Sequence, residues 1–282
     1  MIQTTVLSMG TTAIDHLESA LSFWEEQYNS IFSLLTTTPD EFQGGVIWNM
    51  VSNILNILQA TGASLLIIFF LYGLVKAGID YRDVFNNPQN VLKAFIRIGI
   101  AQFFVVHTMD VLMTVLRVVQ EMITKIYTNI PALSYSIPDD LRAALESADW
   151  WAGVGAFAVS LLAQVIIGAL SIIVVVVVYG RFFKIFLLTA IAPIPLAGFA
   201  SEATSTLGQN FMKSYIGECM RGVIIIVACI IFSAFASSPT SLDPASPGAM
   251  TFWYVAEVAM QLLLLVIITK GSDRLVKELF GL

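Results

Sequence analysis

From Trp150 to Tyr179 the chain carries no charged side chain, and inside that run Ile172–Val178 is wholly β-branched. At 1.5 Å per residue a helix of this length crosses the roughly 30 Å hydrocarbon layer of a bilayer. In water such a segment would need complete cover, which the rest of the chain cannot supply. Hydrophobic residues make up 57% of it and charged residues 12%, against about 25% charged in an ordinary soluble domain. The solvent of this protein is therefore partly lipid.

Further segments repeat the pattern. Gly44–Lys76 is one helical run, polar in its first half (Asn49, Ser52, Asn53, Asn56, Gln59) and apolar from about Ala60. Val91–Tyr127 has no proline and one glycine, Gly99, and reads as a single helix of about 55 Å, longer than the hydrocarbon layer. Gly217–Phe235 and Phe252–Thr269 read as two more spans. Asp80–Pro88, Pro131–Asp149 and Ser237–Ser246 are polar, and a short helix is expected after Pro138. The expected fold is an all-α polytopic transmembrane helical bundle. Its spans lie near 57–78, 91–115, 151–179, 215–236 and 252–270, with a proline-broken re-entrant segment at 181–200 and an outer loop at 117–150. Residues 44–282 form this membrane domain.

Residues 1–43 differ. Ile14, Leu17, Leu21, Trp24, Tyr28, Ile31 and Leu35 alternate spacings of three and four, the mark of one apolar helix stripe. Thr12 and Asp15 have the spacing of a capping box. The polar side carries Asp15, Glu18, Glu25 and Glu26 and no Lys or Arg. An anchor on a cytoplasmic surface is normally basic, so this helix is expected outside the cytoplasm. The first thirty residues also lack the basic start and short apolar core of a cleavable signal.

Charge decides the expected topology. If 181–200 crosses the membrane, the basic residues show no bias between sides. If it returns to the side it entered, eleven fall toward one side (Lys76, Arg82, Lys93, Arg97, Arg181, Lys184, Lys213, Arg221, Lys270, Arg274 and Lys277). Only Arg117, Lys125 and Arg142 face the other. The positive-inside rule then puts the amino terminus outside and the carboxyl terminus in the cytoplasm. Trp48, Trp150-Trp151 and Trp253-Tyr254 would all sit at the outer interface as an aromatic belt.

Chemistry-bearing patterns are sparse. There are two histidines, His16 and His107, and two cysteines, Cys219 and Cys229, ten residues apart on one helix. No nucleophile elbow, zinc-protease, Walker or dinucleotide signature appears in proper context. The expectation is a protein without catalytic, cofactor or metal residues, and not an enzyme. The net charge of −6 excludes a broad nucleic-acid-binding surface. Three groups of residues carry functional expectations. Pro193 and Pro195, with Arg181 and Lys184 before them, form a candidate pore or gate, since irregular backbone at membrane depth is tolerated beside protein or water. Arg97, Gln102, His107 and Asp110 form a candidate intramembrane polar cluster, with His107 and Asp110 one helix turn apart. Leu17, Leu21, Trp24, Tyr28, Val119, Met122 and Ile126 are candidate oligomer or partner contacts, because apolar stripes outside lipid seldom stay exposed. A secondary solute transporter working through the polar second span is the alternative. It predicts paired broken helices in two repeats, and only one proline-broken segment is present.

The segment from Gly180-Arg181-Phe182-Phe183-Lys184 through an apolar run to Ala192-Pro193-Ile194-Pro195-Leu196-Ala197, followed by a Ser/Thr-rich linker and Asn210-Phe211-Met212-Lys213-Ser214-Tyr215, resembles the TrbL-like family. These are polytopic inner-membrane components of type IV secretion and conjugation machines. The similarity extends over about residues 45–280. It implies a non-enzymatic channel or platform subunit in the plasma membrane of a bacterium, assembled as a ring of about five copies at the base of a stalk. A secretion ATPase, a bitopic scaffold protein and stalk subunits would be its partners, and DNA or nucleoprotein its transient substrate. The family's central outer loop is implicated in handling DNA. Here the loop is acidic, which repels phosphates and points to partner proteins instead.

Overall fold

The computed structural model describes residues 2–76, 88–128, 137–236 and 246–281. In order they form α1 (Ile2–Thr36), a 3₁₀ turn (Phe42–Gly45), α2 (Val46–Lys76), α3 (Pro88–Val106), α4 (Thr108–Tyr127), α5 (Asp139–Glu146) and α6 (Trp150–Ile191). A single helical turn (Pro193–Leu196) and a 3₁₀ turn (Ala197–Ala200) follow, then α7 (Ser205–Ala236) and α8 (Pro247–Phe280). No strand occurs among the described residues. Most of the polar connections expected near 80–88 and 237–246, and residues 131–136 of the third, lie outside them.

Among the described residues, four helices are long and apolar enough to cross a membrane: Phe42–Lys76, Trp150–Ile191, Ser205–Phe235 and Pro247–Phe280. A fifth span results if the bent pair Val91–Val106 and Thr108–Tyr127 counts as one. The protein is thus an all-α, multi-pass membrane protein. Outward-facing side chains such as Ile57, Val75, Phe95, Leu162 and Val165 are exposed, as helices bathed in lipid require.

The expected straight helix over 91–127 is instead bent by 71° at His107. Neither proline nor glycine is responsible. The Gln59 amide of α2 donates to the carbonyl oxygens of Val105 and Val106 at 2.8 and 2.7 Å. Thr108 Oγ1 donates to those of Phe104 and Val105 at 2.8 and 2.9 Å. Side chains inserted into a helix's own carbonyl ladder are a known cause of sharp bends. The expected single span 91–115 is therefore two helices, and the second, α4, continues to Tyr127, where the helical reading also ends.

A second difference lies at Tyr179–Arg181, expected to separate a span from the re-entrant segment. The backbone does not break there, and α6 runs for 42 residues to Ile191. It stops at Pro193, which has no N–H to continue the ladder and whose ring crowds the carbonyl four residues back, while Ala192 itself keeps helical dihedrals (φ −53°, ψ −38°). The last turn tightens, with Ala192 N–H donating to Thr189 at 3.3 Å.

The chain divides into two compact units. The first comprises Met1–Leu35, Lys125–Tyr179 and Ile224–Ser272. Its core is built on α1. Ile14, Leu17, Leu21, Trp24, Tyr28, Ile31 and Leu35 are all buried. Trp24 meets Phe232 edge to face at 5.6 Å, and Tyr28 Oη donates to the Cys229 carbonyl at 3.1 Å. The helix begins at Ile2, so Thr12 and Asp15 lie in its interior and form no capping box. The short helix expected after Pro138 is α5, whose first turn holds Asp139 and Asp140 where the helix dipole favours anions. Its Leu141 and Leu145 are buried, and Arg142 pairs with Glu18 of α1.

The second unit comprises Thr36–Thr124, Gly180–Val223 and Asp273–Leu282. Gln43, Gly44 and Gly45 take left-handed φ of 50°, 68° and 75°, a turn that only glycine tolerates readily. It swings α2 onto α6, so that Phe42 stacks on Phe182 at 4.8 Å and Trp48 lies 6.3 Å from Phe186. Trp48 thus packs among the neighbours of Arg181, whereas the aromatic-belt reading puts the two at opposite faces of the membrane.

Candidate functional site

In the second unit the proline segment forms a packed corner. The Pro193–Leu196 turn, the Ala197–Ala200 turn and extended Ser201 fit against α2 and α3. Gly62 of α2 faces Pro193 so closely that a Cβ there would lie 2.7 Å from the Pro193 carbonyl oxygen. Gly73 meets Ser201, and Phe104 of α3 lies 5.2 Å from Phe199. The chain leaves the corner through two hydroxyls. Thr204 Oγ1 donates to the Gly198 carbonyl at 2.8 Å and lies 2.9 Å from Ser201 Oγ. Pro193 is buried here and Pro195 half-buried.

About three helix turns before this corner lies a cluster of charge. Arg181 is almost wholly buried and donates to the carbonyl oxygens of Glu218 and Cys219 on α7, at 3.4 and 3.2 Å. Gly222 makes room for it, since a Cβ there would sit 2.5 Å from the guanidinium carbon. Lys184 donates to Glu218 at 3.4 Å and to Asp273 of α8 at 2.6 Å. Arg221 approaches the same two carboxylates at 3.1 and 3.9 Å, and Lys277 reaches Asp273 at 3.0 Å. Three cations thus share two carboxylates, with Arg181 held on the backbone carbonyls beside them. A cavity of about 300 Å³ opens on the cluster, lined by Lys184, Ser214, Glu218, Asp273 and Lys277 with aliphatic walls that include Leu187 and Val276.

The predicted residues divide accordingly. Arg181 and Lys184 join in one cluster, and the two prolines form the adjoining corner. The second-span group does not come together. Arg97 pairs with Glu202 at 3.1 Å, and Gln102 is exposed. His107 and Asp110 do meet, at 3.3 Å, with both side chains exposed. Among the expected partner contacts, Leu17, Leu21, Trp24, Tyr28 and Val119 are buried inside the chain itself. They are not available as an outer surface: the first four belong to α1, a core helix of its unit, and Val119 is on the buried face of α4. Met122 stays exposed and Ile126 half-buried.

Glu218 and Asp273 were not singled out by the sequence reading. The signal was present: Glu218 and Arg221 are three apart inside an otherwise apolar helix, and Asp273 and Lys277 four apart on another. Both spacings put opposite charges on one face.

The family model described as TrbL/VirB6 plasmid conjugal transfer like protein matches residues 25–193. No curated protein and no solved structure matches the chain. The matched stretch begins in α1, earlier than the resemblance read from the sequence, and ends at Pro193, inside the motif that carried it. It covers more than half of the chain, and its helices are those expected of a multi-pass conjugal transfer component, so the protein belongs to the TrbL/VirB6 plasmid conjugal transfer like family.

Proposed function

We propose that this protein is a ring-forming, non-enzymatic channel subunit of a type IV secretion machine for conjugative DNA transfer, resident in the plasma membrane of a bacterium. The observation that carries the channel reading is the outward face of α1. Asp15, Glu18, Ser22, Glu26 and Asn29 form one exposed stripe at spacings of three and four. In the same unit, α6 exposes Leu162, Val165 and Val176, and α8 exposes Met260, Leu263 and Ile267. These apolar faces suit lipid, whereas charged groups on a neighbouring helix do not. In a ring of several copies the α1 stripes turn inward and line a water-filled passage. The homo-oligomer is therefore part of the reading, as are a secretion ATPase, a bitopic scaffold and stalk subunits. The basic tail residues Lys270, Arg274 and Lys277 support a cytoplasmic carboxyl terminus. An anionic wall repels bare phosphates, so this passage suits protein or protein-coated DNA.

Both native cysteines are buried, which makes single-cysteine labelling practical. Ser22→Cys, Glu26→Cys and Asn29→Cys should react in intact membranes with a membrane-impermeant thiol reagent, and the reaction should block DNA transfer from donor cells. Val165→Cys should stay unlabelled. Equal labelling of stripe and lipid-facing positions would remove the passage and leave a scaffold. Undiminished transfer after deletion of the gene would remove the conjugation reading itself.

A further inference from the structure

We propose that the cavity at the charge cluster is a binding site for the headgroup of an anionic phospholipid. Glu218 and Asp273 are each shared by several cations. Arg181 is held by backbone carbonyls, while Lys184, Arg221 and Lys277 divide two carboxylates between them. The cluster carries an excess of two positive charges. Two lysines and two carboxylates line the cavity itself, and Arg181 and Arg221 of the same cluster add the surplus positive charge, so the site favours an anion over a metal cation.

The unfilled hydrogen-bonding capacity lies at the cavity. An ammonium has three N–H donors. Lys277 gives one to Asp273, and Lys184 gives two, to Asp273 and Glu218. Both lysine side chains are about half exposed, at 57% and 45%, and both line the cavity together with Ser214. These are donors for phosphate oxygens. The remaining walls are aliphatic, and Leu187 is 65% exposed on the same helix as Lys184. A free phosphate has no use for such walls, but the glycerol and upper acyl chain of a phospholipid do. Basic pockets between membrane helices recognise anionic headgroups in this way.

The test is native mass spectrometry of the purified full-length protein, titrated with phosphatidylglycerol or with zwitterionic phosphatidylethanolamine. Wild-type protein should retain phosphatidylglycerol at least about tenfold better, the preference that two lysines near a headgroup supply. Lys184→Gln with Lys277→Gln should bind the two lipids alike. The Lys184→Arg/Lys277→Arg variant keeps the charge and should keep the preference, which separates loss of the site from loss of the fold. Lys277→Gln alone, at the more exposed position, should give an intermediate value. Equal retention of both lipids by the wild type overturns the proposal, as does an unchanged preference in the Gln variants. Displacement of the lipid by inorganic phosphate in the millimolar range would assign the site to a free anion instead and overturn the lipid assignment.

Discussion

Gly62 and Pro193 touch through their backbones: a Cβ on Gly62 would stand 2.7 Å from the Pro193 carbonyl oxygen and 3.0 Å from its Cβ. The obstacle is main chain at a proline, which has little freedom to yield. Gly62→Val should therefore push the proline corner off α2, at an overpacking cost of about 1–3 kcal/mol. In detergent the melting temperature should fall, and DNA transfer with it. Gly99→Val is the matched control. Nothing lies within 4 Å of the Cβ position at Gly99, so that variant should melt like the wild type.

The bend at His107 depends on Gln59, which supplies both Val105 and Val106 carbonyls from another helix. Gln59→Leu leaves those oxygens without that donor, at a cost of about 1–3 kcal/mol. Thr108 serves the Val105 carbonyl too, so Gln59→Leu and Thr108→Val act on one acceptor and should not add. A double-mutant cycle read by thermal melting checks this. Strict additivity would mean that the bend is set by packing rather than by these bonds.

The same residues mark how far the sequence can be read. The apolar stripe from Ile14 to Leu35 announces a helix with one buried face, because helical periodicity is local and every member of the stripe is in fact buried. What that stripe packs against is not local. The sequence reading assigns it to a partner, and the chain itself covers it with α7 through Phe232 and Cys229. The bend at His107 is illegible for a related reason. Its cause is Gln59, nearly fifty residues away, and no proline or glycine marks the spot. The proline corner is legible as irregular backbone, since Pro193 and Pro195 cannot continue a helix. Its environment is not, because Gly62 and Gly73 reveal their purpose only once α2 is laid against it. In the charge cluster Arg181 and Lys184 are legible as a basic pair leading into the proline segment. Their partners Glu218 and Asp273 passed unremarked, although the i,i+3 and i,i+4 spacings were there to see.

Arg181 and Gly222 form a second coupled pair. Arg181→Ala deletes two hydrogen bonds from a buried cation, at about 2–4 kcal/mol, and uncovers the carbonyls of Glu218 and Cys219. Arg181→Lys keeps the charge but not the planar fork that spans both carbonyls, and should recover only part of the stability. Gly222→Ala should be harmful in the wild type, because its methyl would press on the guanidinium 2.5 Å away. In the Arg181→Ala background that obstacle is gone, and Gly222→Ala should cost nothing further. Melting temperatures of the four proteins decide it; equal harm in both backgrounds would show that Gly222 serves something other than Arg181.

The two sides of α1 should respond to mutation on different scales. Trp24 has no exposed surface and packs between Tyr28 and Phe232, so Trp24→Ala opens a cavity worth about 3–5 kcal/mol. Arg142 and Glu18 are joined across the surface of the same unit with roughly half of each side chain in solvent. Such a pair contributes about 0–1 kcal/mol, and Arg142→Ala should shift the melting temperature little. Glu26 is exposed on the polar stripe, and Glu26→Gln should leave stability unchanged. The contrast tests whether α1 is a core helix of its unit or a loosely applied arm. In an arm, Trp24→Ala would be as mild as Arg142→Ala, and limited proteolysis would release the first thirty-six residues from an otherwise intact wild-type protein. A core helix requires the opposite: protection of α1 in the wild type, and its loss in Trp24→Ala at a temperature where Arg142→Ala and Glu26→Gln remain resistant.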